Sequence, residues 1–274
     1  MTALQAIILA VVQGITELFP ISSLGHAVLL PAILGWKVDE TAEGFLPLLV
    51  VMHLGTAIAL IGYFWRDWLN FGMAVLVWRG PKAEAERRTF WRVVVATIPA
   101  VVVGYLFEKP LRHVFGSPVL AAGFLIANGV MLFVAERMHG RQERQLSRVR
   151  WLDAILIGCW QCLALIPGFS RSGATMAGGY MAGLDHEDAA RFSFLTATPV
   201  ILGAAALEAP KLLKAHDALG AVAIVAGVVA GVVAFLSVWL LMRWFRQPEV
   251  KGFDPFAAYC AVAGAGSLAW LLLR

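Results

Sequence analysis

The chain has 274 residues, of which 60% are hydrophobic and 15% are charged, and its formal net charge is +4. Soluble domains carry about 25% charged residues, so this composition, with a mean hydropathy of +0.76, excludes a soluble globular protein. The charged residues cluster between apolar stretches of roughly 18–20 residues, the length that spans a bilayer core. The three cysteines, Cys159, Cys162 and Cys260, do not make a disulfide framework, and we interpret the pair Cys159 and Cys162 as packing residues.

The first apolar stretch, Thr2–Leu34, is interrupted by Pro, Ser and Gly between Pro20 and His26. At membrane depth such a break is tolerated only where protein or a water-filled cavity surrounds the freed backbone groups. We therefore predict a re-entrant helical hairpin rather than a helix that crosses the membrane. Because no Lys or Arg precedes it and it contains Gln13 and Glu17, we do not expect it to be a cleaved signal peptide.

Six apolar segments are predicted to span the membrane, three after each of two hairpins. The first three spans are Phe45–Trp65, Phe90–Phe107 and Pro118–Ala135. A second interrupted stretch, Trp151–Leu184, breaks at Pro167–Thr175 and is predicted to be the second re-entrant hairpin. The last three spans are Ala189–Leu207, Leu219–Met242 and Phe253–Leu273.

The two hairpins resemble each other in sequence. Four residues of the first hairpin recur in the second with a shift of 148, and Pro20 recurs as Pro167 with a shift of 147. The four are Leu4, Ala6, Ile7 and Gln13, which recur as Leu152, Ala154, Ile155 and Gln161. A hairpin returns the chain to its starting side and three spans then cross, so the second copy enters from the opposite side. We predict one all-α membrane domain over residues 1–274, with inverted repeats at 1–135 (hairpin 2–34) and 151–274 (hairpin 151–184).

The orientation is predicted from the Lys and Arg residues in the loops, which favour the cytoplasmic side. Segments 66–92, 136–150 and 243–251 hold fourteen of them, against six on the opposite side. The six are Lys37, Lys109, Arg112, Lys211, Lys214 and Arg274. The first set is therefore predicted to be cytoplasmic, with both termini facing the exterior. Cytoplasmic anchoring accounts for the net charge, so no nucleic-acid partner is expected.

Polar residues that carry chemistry are concentrated at the first break. Gln13 and Glu17 are four residues apart and share a helix face. Pro20 ends the helix, and Ser22, Ser23 and His26 line the break or the start of the next helix. Free backbone N–H groups and the positive end of the helix dipole favour an anion at such a position.

The second break has a composition typical of phosphate binding. It places the guanidinium of Arg171 among the hydroxyls of Ser170, Ser172 and Thr175, with glycines on either side. Arginine presents a fork of donors that matches phosphate oxygens, and hydroxyl and backbone N–H groups add further donors.

Together the two breaks supply the groups that phosphoryl transfer requires. Glu17 can hold a divalent cation on a diphosphate, and Arg171 can neutralise charge on the transferred phosphoryl group. His26 can transfer protons or attack phosphorus, and Ser23 lies close enough along the chain to be activated by it. Which of Ser23 and His26 is the nucleophile stays open. The alternative is a purely structural plug in which Glu17 pairs with Arg171.

The segments Gln13–His26 and Pro167–Thr175 resemble the two signature motifs of the undecaprenyl-diphosphate phosphatase family, also known as the bacitracin-resistance proteins. The resemblance covers essentially the whole chain, and the second motif extends over the run from Trp160 to Thr175. It implies six spans with two re-entrant hairpins, and hydrolysis of undecaprenyl diphosphate to the monophosphate at the outer face of the bacterial inner membrane, helped by Mg²⁺ or Ca²⁺. The site residues that it implies are Glu17, Ser23, His26, Ser170, Arg171 and Thr175.

Two positions depart from one common form of the first motif. Gln13 stands where some members carry a second glutamate, which argues against a mechanism that needs two carboxylates, and Leu24 stands where Thr or Ser is usual. The main alternative function is an inverted-repeat transporter or flippase of a phosphorylated lipid, although a transporter has no need for a histidine beside serines and a carboxylate. Membrane lipid is an expected partner, and a homodimer is left open.

Overall fold

The computed structural model of the protein describes residues 1–36, 45–107, 116–138, 144–214, 221–247 and 251–273. Within these ranges the chain is helical and has no β-strand, which confirms the all-α prediction. Five helices are long and apolar enough to cross a membrane, or six if one bent pair forms a single span. The chain is therefore a multi-pass membrane protein.

The helices follow one another in chain order with short connections. The first half contains α1 (Ala3–Thr16), α2 (Ser23–Leu34), α3 (Phe45–Tyr63), α4 (Trp65–Leu76), α5 (Pro81–Leu106) and α6 (Pro118–Arg137). The second half contains α7 (Trp151–Gln161), α8 (Arg171–Met181), α9 (His186–Lys214), α10 (Ala221–Phe245) and α11 (Asp254–Leu273). Both predicted hairpins are thus pairs of short helices, α1 with α2 and α7 with α8, separated by a break.

The sequence at the first break explains why the helices end there. Thr2 and Gln5 form a capping box that starts α1, and Pro20 lies beyond its end in the turn that follows. Ser22 has a left-handed φ of 69°, which is uncommon for a residue other than glycine. Its hydroxyl accepts the N–H of Gly25 at 3.1 Å, so it caps α2 and compensates for part of this strain.

The prediction that residues 66–92 form a loop is wrong in large part, because most of this segment is helical. The chain bends by 75° between α3 and α4, and α4 buries Phe71 and Ala74 while the polar residues of its first turn are more exposed. Helix α5 begins at Pro81, nine residues before the predicted start of the span at Phe90. Proline is favoured in the first turn of a helix, and the charged segment after it is rich in strong helix formers.

Each hairpin packs through a glycine against a helix from the other half of the chain. A Cβ added to Gly14 of α1 would lie 2.7 Å from the carbonyl oxygen of Ala230 in α10. A Cβ added to Gly158 of α7 would lie 2.5 Å from the carbonyl oxygen of Ala96 in α5. Small residues allow helix backbones in membranes to approach closely. The two hairpins are therefore held by contacts of the same kind.

Ion pairs and polar contacts gather several helix ends at one end of the helix assembly. They join Arg92 to the carbonyl oxygen of Ser147 (3.1 Å), Arg137 to Asp254 (2.7 Å), Arg246 to Glu187 (2.7 Å), and the N–H of Leu146 to Asp188 (2.8 Å). The described parts of the three Arg-rich segments thus lie together, and their cytoplasmic placement stays a prediction. Of the six cations predicted for the opposite side, Lys37, Lys109, Arg112 and Arg274 lie outside the described residues, and the side chains of Lys211 and Lys214 are not described.

Asp153, in the first turn of α7, anchors the segment that leads into the second hairpin. Arg144 and Arg150 both donate to its carboxylate, at 2.7 and 3.2 Å. Burial of Asp153 acts to raise its pKa, but the hydrogen bonds from Arg150 and Arg144 outweigh it and hold the pKa of this carboxyl below its usual range. The anchor is therefore fully formed at neutral pH.

Candidate active site

The two breaks lie against each other inside the helix assembly. The hydroxyl of Ser172 donates to the carbonyl oxygen of Phe19 at 3.1 Å. A Cβ added to Gly25 would lie 3.2 Å from the Cα of Gly168, so the backbones of the two breaks are in close contact. Because α2 and α8 both begin at this contact, the first turns of two helices meet at one place. The predicted convergence of the two motifs is thus present in the structure.

Glu17 is the centre of the side-chain network at this contact. Its side chain is 7% exposed. One carboxylate oxygen, Oε1, accepts from Nη2 of Arg171 at 2.8 Å. The other, Oε2, accepts from Oγ of Ser23 at 2.5 Å and from Nε2 of Gln13 at 3.1 Å. Four of the residues singled out in the sequence therefore form one connected group.

Arg171 is only partly used by Glu17. Its Nη1 atom is buried and has no hydrogen-bond partner among the residues that the structure describes. A buried donor without a partner is unfavourable by about 1–3 kcal/mol, more when it is charged. The guanidinium thus keeps one prong of its fork for a further acceptor beside Glu17 and Ser23.

The hydroxyls at the second break are mostly engaged with the protein itself. Ser170 caps α8 by accepting the N–H of Gly173 at 3.0 Å, and its Oγ lies 3.0 Å from Oγ of Ser172. Thr175 bonds to the carbonyl oxygen of Arg171 at 2.8 Å and to the hydroxyl of Ser193. All three predicted phosphate ligands are at most 1% exposed. In this arrangement they fix the start of α8, and with it the position of Arg171.

His26 belongs to the first break but faces a different neighbour from the one expected. Its Nδ1 lies 2.7 Å from the carbonyl oxygen of Ser22, and its Nε2 lies 2.8 Å from the hydroxyl of Tyr259 in α11. A carbonyl oxygen can only accept, so Nδ1 carries the proton and Nε2 accepts from Tyr259. The expectation that His26 would activate Ser23 is not met by this geometry, because Ser23 donates to Glu17 instead.

Three residues at the site escaped the sequence-based assignment. His53, in the apolar segment that forms α3, places Nε2 3.7 Å from Oε2 of Glu17. Tyr259 was not singled out at all. Asn128 was also missed, although it is a lone amide in the apolar segment that became α6, and it contacts both breaks. A polar residue in the middle of an apolar span was the available signal for His53 and Asn128.

The described residues do not build a cage of protein ligands for a cation. No group of three or more His, Cys, Asp or Glu side chains lies together in the described part of the chain. Among the described residues of the site, Glu17 offers the carboxylate, and the amide group of Gln13 lies beside it and donates its N–H to it. Mg²⁺ is commonly held by one or two carboxylates together with substrate phosphates and water. The donor set therefore fits a cation that arrives with a diphosphate.

Sequence comparison identifies the relatives of this arrangement. Residues 6–266 match the family described as Bacitracin resistance protein BacA. The chain belongs to this family. An undecaprenyl-diphosphatase from Granulibacter bethesdensis is 50% identical, over 99% of this chain and 97% of its own length. A second, from Acidiphilium cryptum, is 50% identical over 98% of each chain. A protein named undecaprenyl-diphosphatase 2 from Chromobacterium violaceum is 43% identical over 100% of each chain.

These matches confirm the resemblance carried by the two motifs of the sequence. Because family relatives align from end to end, similarity is not confined to the segments Gln13–His26 and Pro167–Thr175.

Proposed function

We propose that the protein is a membrane-embedded hydrolase that converts undecaprenyl diphosphate to undecaprenyl phosphate and inorganic phosphate. Its family and its relatives, which bear the name undecaprenyl-diphosphatase, support this function. The activity recycles the lipid carrier of cell-wall synthesis and confers resistance to bacitracin. The observation that carries the proposal is the buried Nη1 of Arg171, which has no partner among the described residues and lies beside the Glu17–Ser23 pair. This is a cationic donor adjacent to an activated hydroxyl.

In the mechanism that this geometry supports, Arg171 binds the oxygens of the terminal phosphoryl group and offsets the charge that develops on them. Glu17 takes the proton of Ser23, whose Oγ lies 2.5 Å away, as Ser23 attacks phosphorus. The bond between the bridging oxygen and the terminal phosphorus breaks, and undecaprenyl phosphate leaves. Water then cleaves the phosphoserine, and inorganic phosphate is released. Attack by His26 is the alternative, since its Nε2 carries a lone pair.

His26 has a second role in the proposed mechanism. Its Nε2 is bonded to the hydroxyl of Tyr259, while Nδ1 is held by the carbonyl oxygen of Ser22. In this tautomer the lone pair of Nε2 can take a proton from the water that cleaves the phosphoserine, while Glu17 returns the proton that it holds to Oγ of Ser23. The Gln13 amide donates to Oε2 of Glu17, whereas Arg171 donates to Oε1. The serines and Thr175 at the start of α8 keep Arg171 in place. The substrate-binding roles of Ser22, Ser170 and Ser172 are thus proposed to be exerted through backbone positioning.

The proposed cation is Mg²⁺ or Ca²⁺, which Glu17 would hold together with the diphosphate of the substrate. The cation would shield the charge of the leaving group. One carboxylate and one amide are few ligands, so the substrate must complete the coordination. Gln13 in place of a second glutamate is consistent with a cation that is bound weakly until substrate is present.

The proposed membrane arrangement is six spans and two re-entrant hairpins in an inverted repeat. Reciprocal packing supports it, because α1 contacts α10 and α7 contacts α5, which are equivalent pairs under the repeat. In this arrangement α3 is the first span, and α4, which follows the bend, is its extension at the membrane interface. With the Arg-rich end in the cytoplasm, both termini and the mouth of the site face the periplasm.

The test is phosphate release from undecaprenyl diphosphate by the purified protein in detergent. The wild type should release phosphate, and Ser23→Ala should lose about 10³-fold or more if Ser23 is the nucleophile. Ser237→Ala, a change at a buried serine of α10, is the matched control and should keep full activity. If wild-type protein releases no phosphate yet moves the lipid across vesicle membranes, the transporter function takes the place of the enzyme.

A further inference from the structure

The side chain of Asn128 connects the two breaks directly. It projects from α6 and is completely buried. Its Nδ2 donates to the carbonyl oxygen of Pro20 in the first break at 2.9 Å. Its Oδ1 accepts the N–H of Ser170 in the second break at 3.0 Å. One amide thus joins segments that are 108 and 42 residues away along the chain.

The chemistry of these partners explains why an amide suits the position. A break in a membrane-embedded helix leaves carbonyl groups free at the end of the first helix and N–H groups free at the start of the next. Pro20 offers a free carbonyl, and Ser170 offers a free N–H. Asparagine is a short side chain that carries a donor and an acceptor on the same planar group. A hydroxyl is smaller, an ionised carboxylate has no donor, and an amine has no acceptor.

The two partners of Asn128 are next to the residues that do the chemistry. Pro20 lies between Glu17 and Ser23, and Ser170 immediately precedes Arg171. We infer that Asn128 is a positioning residue of the phosphatase site, which sets the distance between Arg171 and the Glu17–Ser23 pair. Cys260 in α11 lies behind the amide, with its Sγ 3.3 Å from Nδ2. The inference rests on the proposed function and assigns α6 a part in it.

The expected consequence is kinetic. Substrate is bound through its lipid tail and through Arg171, whereas the rate depends on how phosphorus is held between Arg171 and Ser23. A shift of about 1 Å between catalytic groups can lower turnover about a hundredfold. Loss of the amide should therefore lower kcat much more than it raises KM.

Asn128→Asp provides a readout that a merely structural role would not give. A protonated carboxyl has an O–H for the carbonyl of Pro20 and an oxygen for the N–H of Ser170, so it reproduces both bonds. An ionised carboxylate has no donor and faces the carbonyl oxygen unfavourably. The ratio of variant to wild-type kcat should be close to one at acid pH and should fall about tenfold or more as pH rises. Asn128→Leu, which cannot form either bond, should lose activity at every pH.

The experiment measures kcat and KM for both variants in the full-length protein between about pH 5 and 9, with thermal unfolding recorded in parallel. Thr198→Val is the matched control, because Thr198 is also a buried polar residue and, among the described residues, it bonds to Phe194 within its own helix. Its activity should stay within about twofold of the wild type at all pH values. Each variant is compared with wild type at the same pH, which removes the titration of the site itself.

Three results would overturn the inference. The first is a wild-type kcat for Asn128→Leu, and the second is a pH-independent ratio for Asn128→Asp. The third is a loss of activity that follows the fraction of unfolded protein, which would assign Asn128 to stability alone. Failure of the proposed function is distinguishable from all three, since the wild type itself would then release no phosphate.

Discussion

Replacing Arg171 by lysine should lower turnover about a hundredfold while leaving the protein folded. In the wild type, Nη2 of Arg171 donates to Glu17 at 2.8 Å, and Nη1 is buried without a partner among the described residues. Lysine keeps the positive charge near Glu17. Its single nitrogen cannot bond to the carboxylate and offer the same two-pronged contact to a phosphoryl group.

The magnitude follows from the one contact that is lost. Removal of one preorganised donor to a transition state typically raises the barrier by about 3 kcal/mol, and about 1.4 kcal/mol corresponds to a tenfold change in rate. The expected loss is thus roughly a hundredfold in kcat. If Arg171 were part of a structural plug, it would contribute to the stability of the fold through its buried ion pair with Glu17. Lysine preserves that pair, so the plug interpretation predicts full activity.

The assay is steady-state phosphate release from undecaprenyl diphosphate, with thermal unfolding measured on the same preparation. Arg150→Lys is the control, because Arg150 also pairs with a carboxylate, that of Asp153, but at the start of α7 rather than at the break that follows this helix. This control should keep wild-type activity. Wild-type turnover in a folded Arg171→Lys variant would refute the role of the fork in catalysis.

Four further predictions concern the cation, the acid–base groups and the topology. Glu17→Gln and His26→Ala should each lower kcat far more than they raise KM; an effect on KM alone would point to binding without chemistry. A chelator should abolish phosphate release and Mg²⁺ or Ca²⁺ should restore it, so activity that persists in the chelator removes the cation from the mechanism. Gln13→Glu should lower the Mg²⁺ concentration needed for half-maximal activity, because a second carboxylate would lie next to Glu17; an unchanged titration would contradict this geometry. In a cysteine-free background, a cysteine at Gly140, which lies outside the described residues, should resist an impermeant reagent added to intact cells, and labelling from outside would reverse the orientation.

The sequence predicted the broken hairpins because their signal is local. Proline, glycine and serine in the middle of an apolar stretch indicate a break wherever it lies. The same holds for Gln13 and Glu17, whose spacing of four places them on one helix face and which are in contact in the structure. Helix ends were less predictable. Hydropathy marks the apolar part of α5, but a helix continues as long as its residues favour it, whether or not they are apolar.

The contacts between the breaks depended on tertiary packing and could not be predicted from spacing. Ser23 and His26 are three residues apart at the start of a helix, yet Ser23 donates to Glu17 and His26 reaches Tyr259, more than 200 positions away. The positions of α11 and α6 relative to the first break decide these partners. No periodicity in the sequence encodes those positions, so the choice of partner for His26 was invisible before the fold was known.

The glycine contacts of the hairpins restrict how the two halves of the protein can move. The first hairpin is held against α10, in the second half, through Gly14, and the second hairpin is held against α5, in the first half, through Gly158. Alternating access in transporters commonly rocks one repeat against the other as a rigid body. Here such rocking would pull each hairpin away from either its own half or its glycine contact. Each half of the protein therefore holds the hairpin of the other half in place. This architecture suits a site whose groups stay fixed while the substrate enters and leaves.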